Sequence, residues 1–254
     1  MTAAVMSAVT PIGYMRSCFP EKFGTPRQPG LVTMATGTVA LVAPYNVPEM
    51  VRGLEAYSHI WLIFRFHGCA GRPWRPTVRP PRLGGNRRIG VLATRSNFRP
   101  NAIGMSAVQL AGIRCSREGV FIAVSGIDII DGTPVLDIKP YLPYSDCITD
   151  AAAPPAPSGS VSVTFSPPAA DALAALETTG YPGLGSLLST VLSQDPRPAY
   201  DAGRHRKKTY GMRIYDLNVR WEPTDEGIRV AGITGPAPDQ RCQALPGAAV
   251  SVEF

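Results

Sequence analysis

Apolar positions in the first half of the chain fall in short stretches, and Gly or Pro closes most of them. This pattern predicts strands at Gly13–Arg16, Gly37–Val42, His59–Phe66, Ile89–Thr94, Ala107–Ile113 and Val120–Ile127. His59–Phe66 (HIWLIFRF) is nearly all apolar and aromatic, as a strand buried on both faces would be. Pro48–Tyr57 fits a short helix with Glu49 in its first turn, where the helix dipole favours an acid. Asp131–Gly132 marks a tight turn between two β-like stretches. With 25 Gly and 26 Pro among 254 residues, short extended segments in a barrel or sandwich fit better than a helical bundle.

The pattern changes at residues 151–160, AAAPPAPSGS, whose small, Pro-rich composition predicts a semi-extended linker. Beyond it, Pro167–Thr178 and Leu184–Ser193 have helical spacing, with Leu173, Leu176, Leu184, Leu187, Leu188, Val191 and Leu192 as core positions. Thr209–Trp221 alternates as one strand would, and Gly227–Ile233 is placed to pair with it across a turn at Thr224–Gly227. The expected fold is mainly β: an N-terminal β-barrel-type domain over 1–150, the linker, and a smaller α+β domain over 161–254.

Charge sharpens this picture. Eleven arginines lie between Ala56 and Arg117, a stretch with no Asp, Glu or Lys. The chain carries a net charge of +6 with only 17% charged residues, so the excess is concentrated. Arg forms bidentate contacts with phosphate and carboxylate and stacks on bases, so a nucleic acid or nucleotide partner competes evenly with a solubilising face. Five scattered cysteines without a C-x-x-C pair fit neither a disulfide framework nor a zinc site, and three histidines weaken a metal reading further. The N-terminus lacks the basic start and long apolar core of a signal peptide, and apolar runs such as Ile60–Phe64 are far short of a membrane span. A cytoplasmic protein with no metal and no membrane partner is expected. No strand leads through G-x-G-x-x-G into a helix, so a Rossmann cofactor site is absent from the pattern.

Four longer motifs go beyond composition: KFGTPRQPGLV (Lys22–Val32), VRGLEAYSHIWLIFRFHG (Val51–Gly68), the segment Trp74–Ser106 containing RRIGVLATRSNFRPNAIGMS, and DGTPVLDIKPYLPYSD (Asp131–Asp146). Together they resemble the TrmO family (YaeB or TsaA-like), and QDPRPAY (Gln194–Tyr200) and RIYDLNVRW (Arg213–Trp221) extend the likeness past the linker. The resemblance implies a non-Rossmann β-barrel methyltransferase. Such an enzyme uses S-adenosylmethionine, works as a homodimer, and methylates a hypermodified (threonylcarbamoyl) adenosine beside the anticodon of tRNA. The competing reading is a barrel that binds RNA without chemistry.

The resemblance also bears on single residues that pattern alone leaves as turns or structural groups. It assigns Gln28, Pro29, Gly30, His67, Gly68, Arg95, Asp128, Asp131, Gly132 and Thr133 to the cofactor pocket. Arg79, Arg82, Arg87, Arg88 and Arg99 are candidates for RNA contact, as is the basic run with Arg204, Arg206, Lys207 and Lys208 at the anticodon stem, although such runs are usually solvated. Methyl transfer to a conjugated amine leaves a proton to be removed, and Asp131 and Asp216 are the carboxylates proposed to accept it. Asp216 and Asn218 are expected on one face of the Arg213–Trp221 strand. Trp74 and Tyr144 are candidate stacking platforms for a splayed base.

Overall fold

The computed structural model describes residues 9–69, 71–80, 87–154, 160–197 and 208–235. In chain order the first strands are β1 (Gly13–Ser17), β2 (Thr36–Leu41), β3 (His59–Arg65), β4 (Thr77–Val78), β5 (Ile89–Gly90), β6 (Ile103–Ser116), β7 (Gly119–Ser125) and β8 (Pro134–Pro140). Six of them close a barrel in the order β1-β2-β7-β6-β3-β8, each neighbour antiparallel, while β4 and β5 pair separately. Closure removes the unpaired edges of an open sheet. Alternation fills its inside: Met15, Val39, Ile60, Leu62, Phe64, Val108, Ile122, Val124 and Val135 are buried.

Several expectations change here. β3 alternates between buried and partly exposed residues, so it is buried on one face. Its outward residues Trp61 and Ile63 face the surface side of the barrel sheet, which composition alone hides. Ile89–Thr94 is extended only at Ile89–Gly90 and then turns into a 3-10 helix at Val91–Ala93. Pro48–Tyr57 forms two 3-10 turns, Pro48–Val51 and Leu54–Ala56, interrupted at Gly53. Sequence reading missed β8, because Asp137 and Lys139 break its apolar pattern by pairing with each other on the outer face.

A short helix α1 (Pro143–Asp146) follows β8. The second unit begins with β9 (Ser162–Phe165), α2 (Pro167–Thr179) and α3 (Leu184–Ser193), and ends with β10 (Tyr210–Ile214), β11 (Leu217–Thr224) and β12 (Gly227–Thr234). Its sheet runs β10-β11-β12-β9, with β9 parallel to β12. Ser166 caps α2 by accepting the Ala169 N–H, and Pro follows it at the first helical position. Leu184, Leu187, Leu188, Val191 and Leu192 of α3 are buried as expected, whereas Leu173 and Leu176 are only partly so. The expected single strand over Thr209–Trp221 is a hairpin: Tyr215 and Asp216 form its turn, with Tyr215 at φ 54°. Asp216 therefore does not share a strand face with Asn218.

Among the described residues no helix is long and apolar enough to cross a membrane. The two units share one apolar core. Fully buried Trp221 is stacked between Tyr210 and Phe23, with centroids 4.6 and 6.4 Å away.

Candidate active site

Barrel direction decides where the chemistry-bearing residues meet. β1, β3 and β7 run toward one end, and there loops 18–35, 66–102 and 126–133 connect them to β2, β6 and β8. At the opposite end β6 and β7 turn through only two residues, 117–118. All the residues assigned to the cofactor thus lie on three long loops at one rim, although they are spread over a hundred positions of sequence. Loops held by a rigid scaffold are the usual place for binding groups.

The first group surrounds Asp128. Its carboxylate oxygen Oδ1 accepts the Ser106 hydroxyl at 2.6 Å, and Ser106 is buried inside the barrel on β6. Burial pushes the Asp128 carboxyl above the ordinary carboxylate range; the Ser106 bond, its own backbone N–H and the Arg95 charge oppose that rise. Arg95 donates to the Gln28 side-chain carbonyl, and the Gln28 amide donates to the Arg27 carbonyl at 2.6 Å. The Gly30 N–H then donates to the Gly126 carbonyl at 2.8 Å, tying the Gln28–Gly30 loop to the end of β7. Both glycines have positive φ, 77° and 73°, which a side chain would resist.

The second group surrounds the turn before β8. Asp131 accepts the Ser17 N–H at 2.8 Å through Oδ1 and donates its own N–H to the Phe19 carbonyl at 2.8 Å. Gly132, at φ 71°, donates to the Met15 carbonyl. Thr133 is buried; its hydroxyl donates to the Ile130 carbonyl at 2.7 Å and lies 3.3 Å from His67 Nδ1. One hydroxyl holds one proton, so the Thr133 oxygen accepts from His67 Nδ1–H, which in the neutral ring makes Nε2 the acceptor. That nitrogen faces Gly132, and Gly68 lies against the Ile130 side chain. Among the described residues no cluster of His, Cys, Asp or Glu is arranged to hold a metal ion.

The remaining candidates divide. Asp216 is not at this rim: it sits in the second unit, where Tyr181 donates to Oδ1 and Oδ2 is buried without a hydrogen bond. Arg79, Arg87 and Arg88 are exposed, and their side chains make no hydrogen bond or ion pair with another described residue. Arg99 instead folds onto its own loop, donating to the Thr94 and Ser96 carbonyls at 3.1 and 3.4 Å. Lys208 lies over the Tyr210 ring at 4.7 Å. Arg82, Arg204, Arg206 and Lys207 lie outside the described residues. Trp74 is 56% exposed in the 66–102 connection, and Tyr144 is 87% exposed on α1.

Ser106 was not singled out from sequence. Its signal was a small polar residue at an inward position of an alternating strand, between Gly104 and Val108. Arg65 and Arg72 were likewise counted only as part of the basic belt, yet both line a cavity with Trp74.

Residues 14–147 match the family model described as the tRNA-methyltransferase O N-terminal domain, and residues 158–236 match the TrmO C-terminal domain. An Escherichia coli K12 protein named tRNA (adenine(37)-N6)-methyltransferase is 51% identical over 222 residues, covering 86% of this chain and 94% of that protein. A protein of the same name from Eikenella corrodens is 46% identical over 169 residues, covering 65% of this chain and 89% of its own. A crystal structure of TrmO from Pseudomonas aeruginosa superposes with a TM-score of 0.74 at 39% identity, covering 91% of this chain and all of that one.

Proposed function

Because this chain belongs to the TrmO family, we propose that it is a tRNA methyltransferase, moving a methyl group from S-adenosylmethionine to the exocyclic nitrogen of the adenosine beside the anticodon. The reading extends to a threonylcarbamoyl substituent on that adenosine, to a homodimeric enzyme and to a cytoplasmic setting. The observation that carries it is the single rim where Gln28–Gly30, His67, Arg95, Asp128 and Asp131–Thr133 come together.

The residues present suit such a donor. A sulfonium-bearing amino acid nucleoside has a diol and an ammonium that need acceptors and a carboxylate that needs a cation. Asp128, Asp131 and His67 Nε2 supply the acceptors, and Arg95 supplies the cation. When bound, the donor provides an electrophilic methyl group. The protein's task is then positional. Holding nucleophile and methyl in line is worth about 7–11 kcal/mol in favourable cases. The Gly30–Gly126 and Gly132–Met15 backbone bonds fix both loops from which donor groups project. A rim with few mobile groups needs little reordering as charge moves.

The target nitrogen loses a proton on methylation. Asp131 takes it in our reading: it is exposed at the rim, and Oδ1 is oriented by the Ser17 N–H. Asp216 is committed to Tyr181 and does not serve. Asp128 is the poorer base despite its raised pKa, because the Ser106 hydroxyl already occupies Oδ1 and the Arg95 charge opposes its protonation. The exposed Arg79, Arg87 and Arg88 supply a cationic path for the tRNA backbone.

Nucleoside mass spectrometry after incubating the purified protein with S-adenosylmethionine and tRNA tests the reading. A methylated adenosine beside the anticodon is expected. Binding of tRNA without any methylated product would leave a non-catalytic RNA-binding barrel instead.

A further inference from the structure

Beside the rim just described, the structure has a second concavity. It opens between the end of β3, Cys69 with residues 71–74, and residues 97–102, and holds about 220 Å³. Arg65, Arg72 and Arg99 line it, together with Trp74 and Phe98. Three features distinguish it from an ordinary surface hollow.

Its charge is one-sided. No acid occurs between Ala56 and Arg117, and neither Arg65 nor Arg72 has a side-chain partner among the described residues. Guanidinium groups crowded round one hollow repel each other until an anion enters. Its aromatic wall is also exposed: Trp74 stands at 56% accessibility, free to stack a flat ring and to strengthen that stack with a neighbouring Arg. Finally, its floor is strained. Ala102 holds φ 48°, costly for a residue with a Cβ, and is fixed there because its carbonyl accepts the Phe66 N–H at 2.8 Å and its N–H donates to Arg99 at 3.1 Å. Strain of this kind persists where surrounding structure over-determines a functional loop.

Size selects among ligands. The volume is below the roughly 300–1,000 Å³ typical of sites that enclose a drug-sized molecule. It suits one flat heterocycle with its acidic substituent, not a whole methyl donor. We infer that this cavity receives the target nucleotide itself: the base stacks on Trp74, and an anionic group attached to it pairs with Arg65 and Arg72. Arg99, bonded to the Thr94 and Ser96 carbonyls, holds the wall in shape. The inference deepens the proposed function and rests on it. A carboxylate on the base substituent and a nucleotide phosphate share the required chemistry.

The test uses the full chain and three soluble probes: adenosine, adenosine 5′-monophosphate and threonylcarbamoyl adenosine. Titration of each is followed by tryptophan emission, with affinity taken independently by calorimetry. The acid-bearing probes quench emission and adenosine does so far more weakly. The quench disappears in Trp74→Phe, and affinity falls about tenfold or more in Arg72→Ala and Arg65→Ala, the low end for charge-assisted and stacking contacts. Preference for the carboxylated nucleoside identifies the base substituent as the anion, and preference for the monophosphate identifies the phosphate. Either supports the site. Quenching retained in Trp74→Phe, or unchanged affinity in both arginine variants with melting temperatures matching the parent, overturns it. Methyl transfer to tRNA, measured on the same variants, separates the two readings. Activity with unaltered KM and kcat in Trp74→Ala and Arg72→Ala removes the site but keeps the enzyme. Trp74-dependent nucleotide binding without methylation keeps the site and removes the enzyme.

Discussion

Ser106→Ala tests whether Asp128 is held as a buried carboxylate. Ser106 is 1% exposed and its hydroxyl lies 2.6 Å from Asp128 Oδ1, so the substitution removes a donor without opening the barrel to solvent. A hydrogen bond to a charged group is worth about 1.5–3 kcal/mol, which for a chain of this size lowers Tm by roughly 3–12 °C at neutral pH. The sign with pH follows from the direction of the Asp128 shift. Its folded pKa already lies above the ordinary carboxylate value, so folding favours the neutral acid; that contribution is complete below the ordinary pKa and is lost as pH rises through the folded one. Removing Ser106 raises the folded pKa further. The penalty of Ser106→Ala therefore grows as pH rises, and in acid it falls to the about 0.5–1.5 kcal/mol of a neutral hydrogen bond. Thermal denaturation of both proteins from pH 3 to 8 measures this, with Ser106→Ala in an Asp128→Asn background as the second arm. A penalty that is equal at every pH, and equal in the Asn background, refutes the coupling and makes Ser106 a packing residue.

Three other outcomes are expected. Arg95→Ala removes both the Gln28 contact and a charge that favours ionised Asp128, so S-adenosylmethionine affinity falls while stability changes by less than about 1 kcal/mol, the scale of an exposed charge; calorimetric titration with a melting curve tests it, and unchanged binding takes Arg95 out of the site. Neutralising Arg79, Arg87 and Arg88 together weakens tRNA binding and flattens its salt dependence by about 0.7–0.9 per lost phosphate contact, read by filter binding across salt, with cofactor affinity unaltered. Trp221→Ala empties a fully buried stack between Tyr210 and Phe23 and costs about 3–5 kcal/mol, read by chemical denaturation.

The barrel was legible because most of its strands are short and alternate, so β1, β2, β3 and β7 lie close to predicted stretches, whereas β6, at 14 residues, runs well past the predicted Ala107–Ile113 at both ends. The strands that failed did so for definable reasons. β8 carries the Asp137–Lys139 pair on its outer side, which hides an inward Val135. Thr209–Trp221 alternates perfectly well on either side of a turn, and only the left-handed Tyr215 breaks it, a conformation no residue type there announces. That miss moved Asp216 from a strand face into a turn. Periodicity marked the rim residues only as turns, since Gln28, His67, Arg95 and Asp128 meet through barrel closure, a long-range event with no local signature. The family resemblance named them as one set, whereas Ser106 needed the register of β6 against the barrel interior.

The rim and the second unit share one piece of backbone. On one side of residues 17–24, the Ser17 N–H and Phe19 carbonyl hold Asp131. On the other, the Cys18 carbonyl accepts the Tyr215 N–H at 2.7 Å and Glu21 accepts the Arg213 N–H at 3.0 Å, while Phe23 stacks on Trp221. Cys18 between them is fully buried, and burial pushes its thiol up to about 12, so it packs as an apolar side chain and has no thiolate chemistry at neutral pH. The Tyr215 phenol, also raised to about 12 by burial, stays protonated beside it. A displacement of the β10–β11 turn therefore reaches Asp131 through the few bonds of one short segment, without crossing the barrel core. The second unit thus holds the rim from behind as well as forming a separate sheet with its own helices, because Asp131, the carboxylate proposed above as proton acceptor, is anchored to Ser17 and Phe19, which flank the Cys18 carbonyl that the second unit holds.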